Sequence, residues 1–366
     1  MISNGFRRSL LGLAAVAVGV SFAISPSHAQ EMKKVKIALG TAVMNLTYPW
    51  LSLPQSLGYW KEEGYDVKVL PAGGSLQAMQ QMVAGNTDFA QVNSSVIVQA
   101  NTKNGLPVKV AMANGVIDWS LAVLESSKIK SAADMKGKRV GLINLGTGGL
   151  LFLKSYLVQS GVKPTGDVKY IATGFGAPAV SALKTGKVDG LMYWASAIAG
   201  FQNSGLKLRL LRADDWQQYP DYSLSIMHKT VKADPKMVLA IARGAAKATV
   251  FALTNPDCVR RVYWKNNPSN KPTGVDEATA IKWDNNRLAS QLESLQAGLK
   301  LNGGKLVGNV DPAGFDRLQK FMKGHGLIEK VMAPTDYLVD IPDFYKKIND
   351  FDVQKVQAAA KACKMG

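Results

Sequence analysis

The chain has 366 residues, 47% of them hydrophobic, and 44 Lys and Arg against 27 Asp and Glu give it a formal charge of +17. That length exceeds one ordinary core and suits two lobes. The basic residues are scattered rather than gathered in runs or interleaved with aromatics, which argues against a nucleic-acid surface. Two Cys and three His without ligand spacing argue against a metal site.

Residues 1–29 read as an export signal. Arg7 and Arg8 form a positive start, Leu10 to Ile24 is apolar but short for a bilayer, and Ser27-His28-Ala29 places small residues at a cleavage site. Cleavage before Gln30 leaves 337 residues with a charge of +15, located in the periplasm. No Cys follows the apolar run to carry a lipid, and no later stretch approaches the length of a membrane span.

Val35 to Gly40 is predicted as a first strand, and the loop Thr41 to Pro49 leads to a helix from Trp50 to Trp60. Val67–Leu70, Asp88–Val92 and Val108–Ala113 read as strands, separated by helices over Ser75–Ala84 and Ser94–Asn101. A second series follows: strands at Leu121–Leu124, Arg139–Ile143, Val168–Ile171, Asp189–Met192 and Leu208–Leu211, with helices to Val158 and over Ala179–Thr185. Tyr222–Met227 reads as a return strand. The remainder is helical, over Pro235–Leu253, Glu277–Leu299, Pro312–Met322 and Pro342–Ala362. Strands alternating with helices imply an α/β fold of mostly parallel sheets flanked by helices.

The two series repeat. Asp66-Val67-Lys68, Gly73, Ala78, Gly85 and Asp88 recur 101 residues later as Asp167-Val168-Lys169, Gly174, Ala179, Gly186 and Asp189. Two similar units imply two lobes with a cleft between them. The expected partition is 30–118 for the first part of lobe one, 119–215 for lobe two and 216–366 for the completion of lobe one, with crossings near Trp119 and Trp216.

Gly58-Tyr59-Trp60, Gly64-Tyr65-Asp66-Val67 and Ala84-Gly85-Asn86-Thr87-Asp88 resemble motifs of the nitrate/sulfonate/taurine and thiamine-precursor (NMT1/THI5-like) binding proteins of bacterial ABC importers. So do Asn104-Gly105-Leu106-Pro107-Val108 and Asp134-Met135-Lys136-Gly137-Lys138-Arg139-Val140-Gly141. The resemblance runs from about Val35 to Gly200. It implies a two-lobed periplasmic binding protein of type II, a monomer without cofactor. Such a receptor closes on a small molecule and meets an inner-membrane permease transiently.

In open parallel sheets, ligands sit beyond the carboxyl ends of the strands. That rule selects Asn45 and Tyr48, Gly74, Ser75 and Gln77, and Asn93, Ser94 and Ser95 in lobe one. In lobe two it selects Asn144, Thr147, Gly148 and Gly149, then Phe175 and Gly176, then Tyr193 and Trp194. The family's ligand loops fall at the same stretches. Asp118 and Trp119 stand at the crossing, where Asp118 either accepts from the ligand or fixes the hinge. Gly73-Gly74-Ser75 and Gly146-Thr147-Gly148-Gly149 open helices whose free N–H groups suit an anionic or polar group. Leu151 occupies the place of a third fingerprint glycine, so no dinucleotide is expected.

Phe175 and Tyr193 are expected to form a slot for a flat ring. No Arg or Lys falls in these loops, which argues against nitrate or sulfate. The expected ligand bears a ring with a polar or anionic end: an aromatic carboxylate, a sulfonate or a pyrimidine-type thiamine precursor. Cys258 and Cys363 either pair, pinning the C-terminal tail, or remain separate thiols. Rival readings are an enzyme of the related pyrimidine-synthesising fold and an exported sensor. His228 and His325 lie outside the proposed loops, and no Ser–His–acid arrangement accompanies them.

Overall fold

The computed structural model describes residues 31–366, so the export signal read over residues 1–29 lies outside the described residues. Val35, Ile37 and Leu39 of strand β1 (Lys33–Leu39) are buried while Lys34 and Lys36 are exposed, the alternation expected of a half-covered strand. Helices α1 (Pro49–Ser56) and α2 (Tyr59–Glu62) lead to β2 (Tyr65–Pro71), α3 (Ser75–Val83), β3 (Phe89–Val92), α4 (Ser94–Thr102) and β4 (Val108–Val116). The chain then enters a second sheet through β5 (Trp119–Leu124), β6 (Arg139–Leu142), α5 (Gly149–Gln159), β7 (Lys169–Ala172), α6 (Ala177–Lys184), β8 (Gly190–Trp194), α7 (Ala195–Asn203) and β9 (Leu208–Leu211). It returns through β10 (Pro220–Met227). Helices α8 (His228–Ala233), α9 (Pro235–Thr254), α10 (Pro256–Asn266), α11 (Glu277–Leu301), α12 (Pro312–Gly324), α13 (Phe344–Ile348) and α14 (Val353–Lys361) follow.

The two five-stranded sheets have one plan. Their orders are β2-β1-β3-β10-β4 and β7-β6-β8-β5-β9. In the first, β1 runs parallel to β2 and β3, while β10 runs antiparallel to β3 and β4. In the second, β6 runs parallel to β7 and β8, while β5 runs antiparallel to β8 and β9. The antiparallel strand is in each case the one that has just crossed from the other sheet. This is the two-lobed, type II arrangement.

The sequence repeat has a structural meaning. The Asp88 carboxylate accepts from the Lys36 N–H at 2.8 Å, and the Asp189 carboxylate accepts from the Arg139 N–H at 2.9 Å. Each aspartate therefore ties the start of the strand that follows it to a parallel neighbour, β3 to β1 in one sheet and β8 to β6 in the other. Gly73 and Gly174 adopt φ of 78° and 72°, and Gly85 and Gly186 adopt 78° and 69°, left-handed values that a side chain disfavours.

Several expected elements differ. The helix expected over Trp50–Trp60 is broken at Gly58, whose φ of 78° cannot continue an α-helix. The one expected over Pro342–Ala362 is split into α13 and α14, the latter capped by Asp352, whose side chain accepts from the Lys355 N–H. Tyr193 and Trp194 do not lie beyond a strand end, because β8 runs through Trp194 directly into α7. Contrary to expectation, α9 is long and apolar enough to cross a membrane, but most of it is buried in lobe one. There Trp60 donates its indole N–H to the Ile241 carbonyl at 3.0 Å. A Cβ at Gly244 would lie 2.4 Å from the Trp60 ring, so the glycine makes room for it.

Cys258 in α10 and Cys363 beyond α14 form a disulfide, their Cα atoms 5.4 Å apart. It pins the C-terminal segment against lobe one.

Candidate functional site

The two connections between the sheets lie side by side. Val116 pairs with Pro220 and Gly115 with Asp221, and the Ile117 N–H donates to the Tyr219 carbonyl at 3.0 Å. Helix α11 seats this ribbon. Ser294 Oγ accepts from the Val116 N–H at 3.2 Å and donates to the Val116 carbonyl at 3.1 Å. A Cβ on Gly298 would meet the Gly115 backbone at 2.8 Å, which explains a glycine at this crossing. Trp216, at the expected crossing, is fully buried and packs edge-on against Phe152 and Tyr156 of α5.

Two acids belong to the ribbon. Both carboxylate oxygens of Asp118 lie 2.9 Å from the Tyr222 hydroxyl, which donates to them. Burial raises Asp118 to about 8; the Tyr222 hydrogen bond opposes this, and the nearby Asp221 adds to it. Asp221 accepts from the Ser94 N–H at 2.8 Å and from Asn93 Nδ2 at 2.7 Å. Burial likewise raises Asp221, to about 7, against the lowering effect of Ser94 and Asn93. Tyr222 is held at φ 52°, an uncommon conformation for a residue with a Cβ. Its carbonyl accepts from Asn114 Nδ2 at 3.2 Å.

Above this ribbon the lobes meet around a cavity of about 30 Å³, room for a water molecule or two. Tyr48, Trp119, Trp194 and Tyr222 supply its aromatic walls, and Ser75, Gln91, Asn93 and Thr147 its polar ones. Gln91 Oε1 accepts from the Trp50 indole at 2.9 Å, leaving its Nε2 without a partner. The Trp119 indole N–H likewise has no partner in hydrogen-bond geometry, although it lies near enough to Asp221 to favour that carboxylate.

The rim is shut by backbone. Asn144 Nδ2 donates to the Gly73 carbonyl at 2.6 Å across the cleft, while its Oδ1 accepts from the Gly146 N–H at 2.8 Å. The Leu76 N–H donates to the Gly146 carbonyl at 3.4 Å. A Cβ on Gly74 would come within 2.7 Å of Asn144, and one on Gly148 within 2.4 Å of Asn93. These glycines allow the lobes to touch.

Of the residues singled out from the sequence, Tyr48, Ser75, Asn93, Trp119, Thr147 and Trp194 line this cavity. Gly74, Gln77, Asn144 and Gly148 lie at the rim, with Gly149 against the Trp119 ring. Asn45 shapes its own loop by accepting from the Thr47 N–H at 2.9 Å. Ser94 does not offer its N–H to the cleft, because Asp221 takes it, and its hydroxyl bonds Ser223 at 2.7 Å. Ser95 is buried, with a hydroxyl that has no partner. Gly176 precedes α6 at φ 72°.

The expected Phe175–Tyr193 slot is corrected. Phe175 stacks on Trp194, with centroids 5.6 Å apart and planes 8° from parallel. Tyr193 is fully buried; its hydroxyl bonds Thr173 and the Gly174 carbonyl, and its ring packs edge-on against Phe201. Strand alternation sends neighbouring side chains to opposite faces, so Tyr193 enters the core where Trp194 reaches the cavity. Gln91, Asp221 and Tyr222 went unselected as site residues. The Asp221-Tyr222 pair at the start of a return strand was the available signal.

The model of the NMT1/THI5 like family matches residues 51–258, more than half of the chain. The chain belongs to that family. A relative from Haemophilus influenzae, provisionally named a thiamine biosynthesis protein, is 24% identical over 86% of this chain and 94% of its own. Among solved structures, a periplasmic sulfonate-binding protein, SsuA of Methylobacillus flagellatus, superposes with a TM-score of 0.58. It is 17% identical, over 87% of this chain and 94% of that one. The desulfurization enzyme DSZB superposes with a TM-score of 0.54 at 15% identity, over 87% and 99%. At such identities the likeness shows the periplasmic-binding-protein fold, which this NMT1/THI5-like chain shares.

Proposed function

We propose that this NMT1/THI5-like protein is the exported solute receptor of an ABC importer, capturing a small ring-bearing molecule between its lobes and presenting it to a permease. The observation that carries the reading is the interlobe cavity walled by Tyr48, Trp119, Trp194 and Tyr222. Aromatic faces on several sides suit a flat ring. The unpartnered Gln91 Nε2 is a donor that a ring nitrogen or carbonyl would accept from. The cation felt at Tyr48, Arg287, is already paired with Asp284 at 3.3 Å. A pyrimidine-type ligand therefore fits better than a carboxylate or sulfonate.

The proposed lobe boundaries fall at Ile117–Asp118 and Tyr219–Pro220, where the chain leaves one sheet for the other. The cavity is too small for a ring, so the lobes part about this ribbon to admit one. A thermal-shift screen of pyrimidines, aromatic acids, sulfonates and nitrate identifies binders. Small-angle scattering with a saturating binder then checks closure. A radius unchanged by any binder would remove the domain-closure mechanism.

The enzyme reading draws on the DSZB likeness and the name of the Haemophilus relative. Here both cysteines are joined to each other. His325 bonds the Phe321 carbonyl at 2.7 Å and lies 3.0 Å from the Gln159 amide, so it serves the α5–α12 contact rather than the cavity. Among the described residues no group of His, Cys, Asp and Glu is arranged for a metal.

A further inference from the structure

We propose that the solute is taken up as an organic cation, a planar protonated nitrogen base held inside an aromatic cage with Asp118 and Asp221 as its buried counter-charges. The inference rests on the solute-binding reading above and names the charge of the ligand.

The cavity presents four aromatic rings, and none of its lining residues is Lys or Arg. Two carboxyls stand one side chain behind it. Asp118 reaches the cavity through the hydroxyl of the lining residue Tyr222, and Asp221 through the side-chain amide of the lining residue Asn93. Aromatic faces and carboxylates both stabilise positive charge, and a cation freed of water gains more from each ring than a solvated one. An anion in the same place would face the negative ring faces and two acids. The start of α4, which could have offset this, already carries the Asp221 carboxylate on its Ser94 N–H. The overall charge of +17 has the opposite sign, so attraction of the cation is local to the cleft and does not come from long-range steering.

The groups that set the charge of the pair come from every side. Tyr222 and Asp221 come from β10, Tyr48 from the loop before α1, the Ala195 N–H from the start of α7, and Arg287 of α11 acts on Tyr48. Ser94, Asn93 and Trp119 face Asp221. Burial holds both acids partly protonated near neutrality, at about 8 and about 7. A cation favours their ionised forms and so expels protons as it binds. Affinity for a cation therefore rises with pH across this range, whereas affinity for an anion falls.

The test uses three probes of one shape: benzamidinium, neutral benzamide and benzoate, titrated calorimetrically into the full mature chain between pH 6 and 8.5. Benzamidinium is expected to bind about tenfold or more tightly than benzoate, and its affinity to rise with pH. Asp221→Asn is expected to narrow that gap; should it fold poorly by circular dichroism, Asp118→Asn serves the same purpose. Benzoate or benzamide binding as tightly as benzamidinium would overturn the inference, as would benzamidinium affinity that is flat with pH. Binding of none of the three would also overturn it. Compaction by any other solute in the screen would then leave the receptor reading standing, and compaction by no solute would remove both.

Discussion

Replacing Asp118 by Asn isolates the buried charge at the crossing. Asn has nearly the same size, and its amide oxygen can still accept from Tyr222. Asp118 is 3% exposed and raised from 3.8 to about 8. Above pH 3.8 the unfolded chain releases this proton while the folded chain retains it. The wild type is therefore most stable, as far as this group is concerned, below pH 3.8, and loses stability until about pH 8. Each pH unit costs about 1.4 kcal/mol, so the interval from pH 5 to 8 costs up to about 4 kcal/mol. Asn carries no proton to lose, and Asp221 contributes its slope to both proteins. Urea unfolding followed by tryptophan fluorescence at each pH should show the variant gaining on the wild type by up to about 4 kcal/mol over that interval. Parallel curves would refute the reasoning, because they would mean that solvent reaches Asp118 and that it titrates as an ordinary carboxylate.

Three further expectations concern other parts of the molecule. Gly148→Ala places a Cβ 2.4 Å from Asn93 at a backbone φ of −61° that alanine accepts; scattering with a saturating ligand should stay at the open radius while the melting temperature holds, and normal compaction would show that Asn93 simply moves aside. Phe175→Ala removes the ring stacked on Trp194, which backs a cavity wall without being one; affinity for a ring ligand should fall by less than the roughly tenfold or more of a directly stacked ring, at less than the about 3–5 kcal/mol stability cost of a core Phe, and a full core cost with affinity intact would assign it to the core. Cys258→Ala with Cys363→Ala opens a loop of 105 residues and should cost at most about 4–5 kcal/mol on chemical denaturation, with an unchanged midpoint showing that α14 holds the tail unaided.

Local pattern carried much of this fold. The alternation of Val35, Ile37 and Leu39, the helix starts at Ser75 and Asp311, and the 101-residue repeat are written in near neighbours, so strands, helices and paired lobes could be read from them. The repeated Asp88 and Asp189 were legible as a pair, but their bonds to Lys36 and Arg139 were not, because those partners lie about fifty residues away along the chain. The same holds more strongly for the site. Six selected residues line the cavity because strand ends in a parallel sheet must converge there. Which of two neighbours faced it depended on where β8 ends: two residues more of strand than expected buried Tyr193 and turned Trp194 inward. Asp118 and Asp221 are 103 positions apart, and nothing in the local sequence says that they share one ribbon or lack water. Sequence by itself determined the elements and their duplication, through backbone preferences and periodic burial. Only the tertiary structure decided the charge of the cleft, since desolvation and the meeting of distant carboxyls, tyrosines and helix starts exist only once the two lobes have folded together.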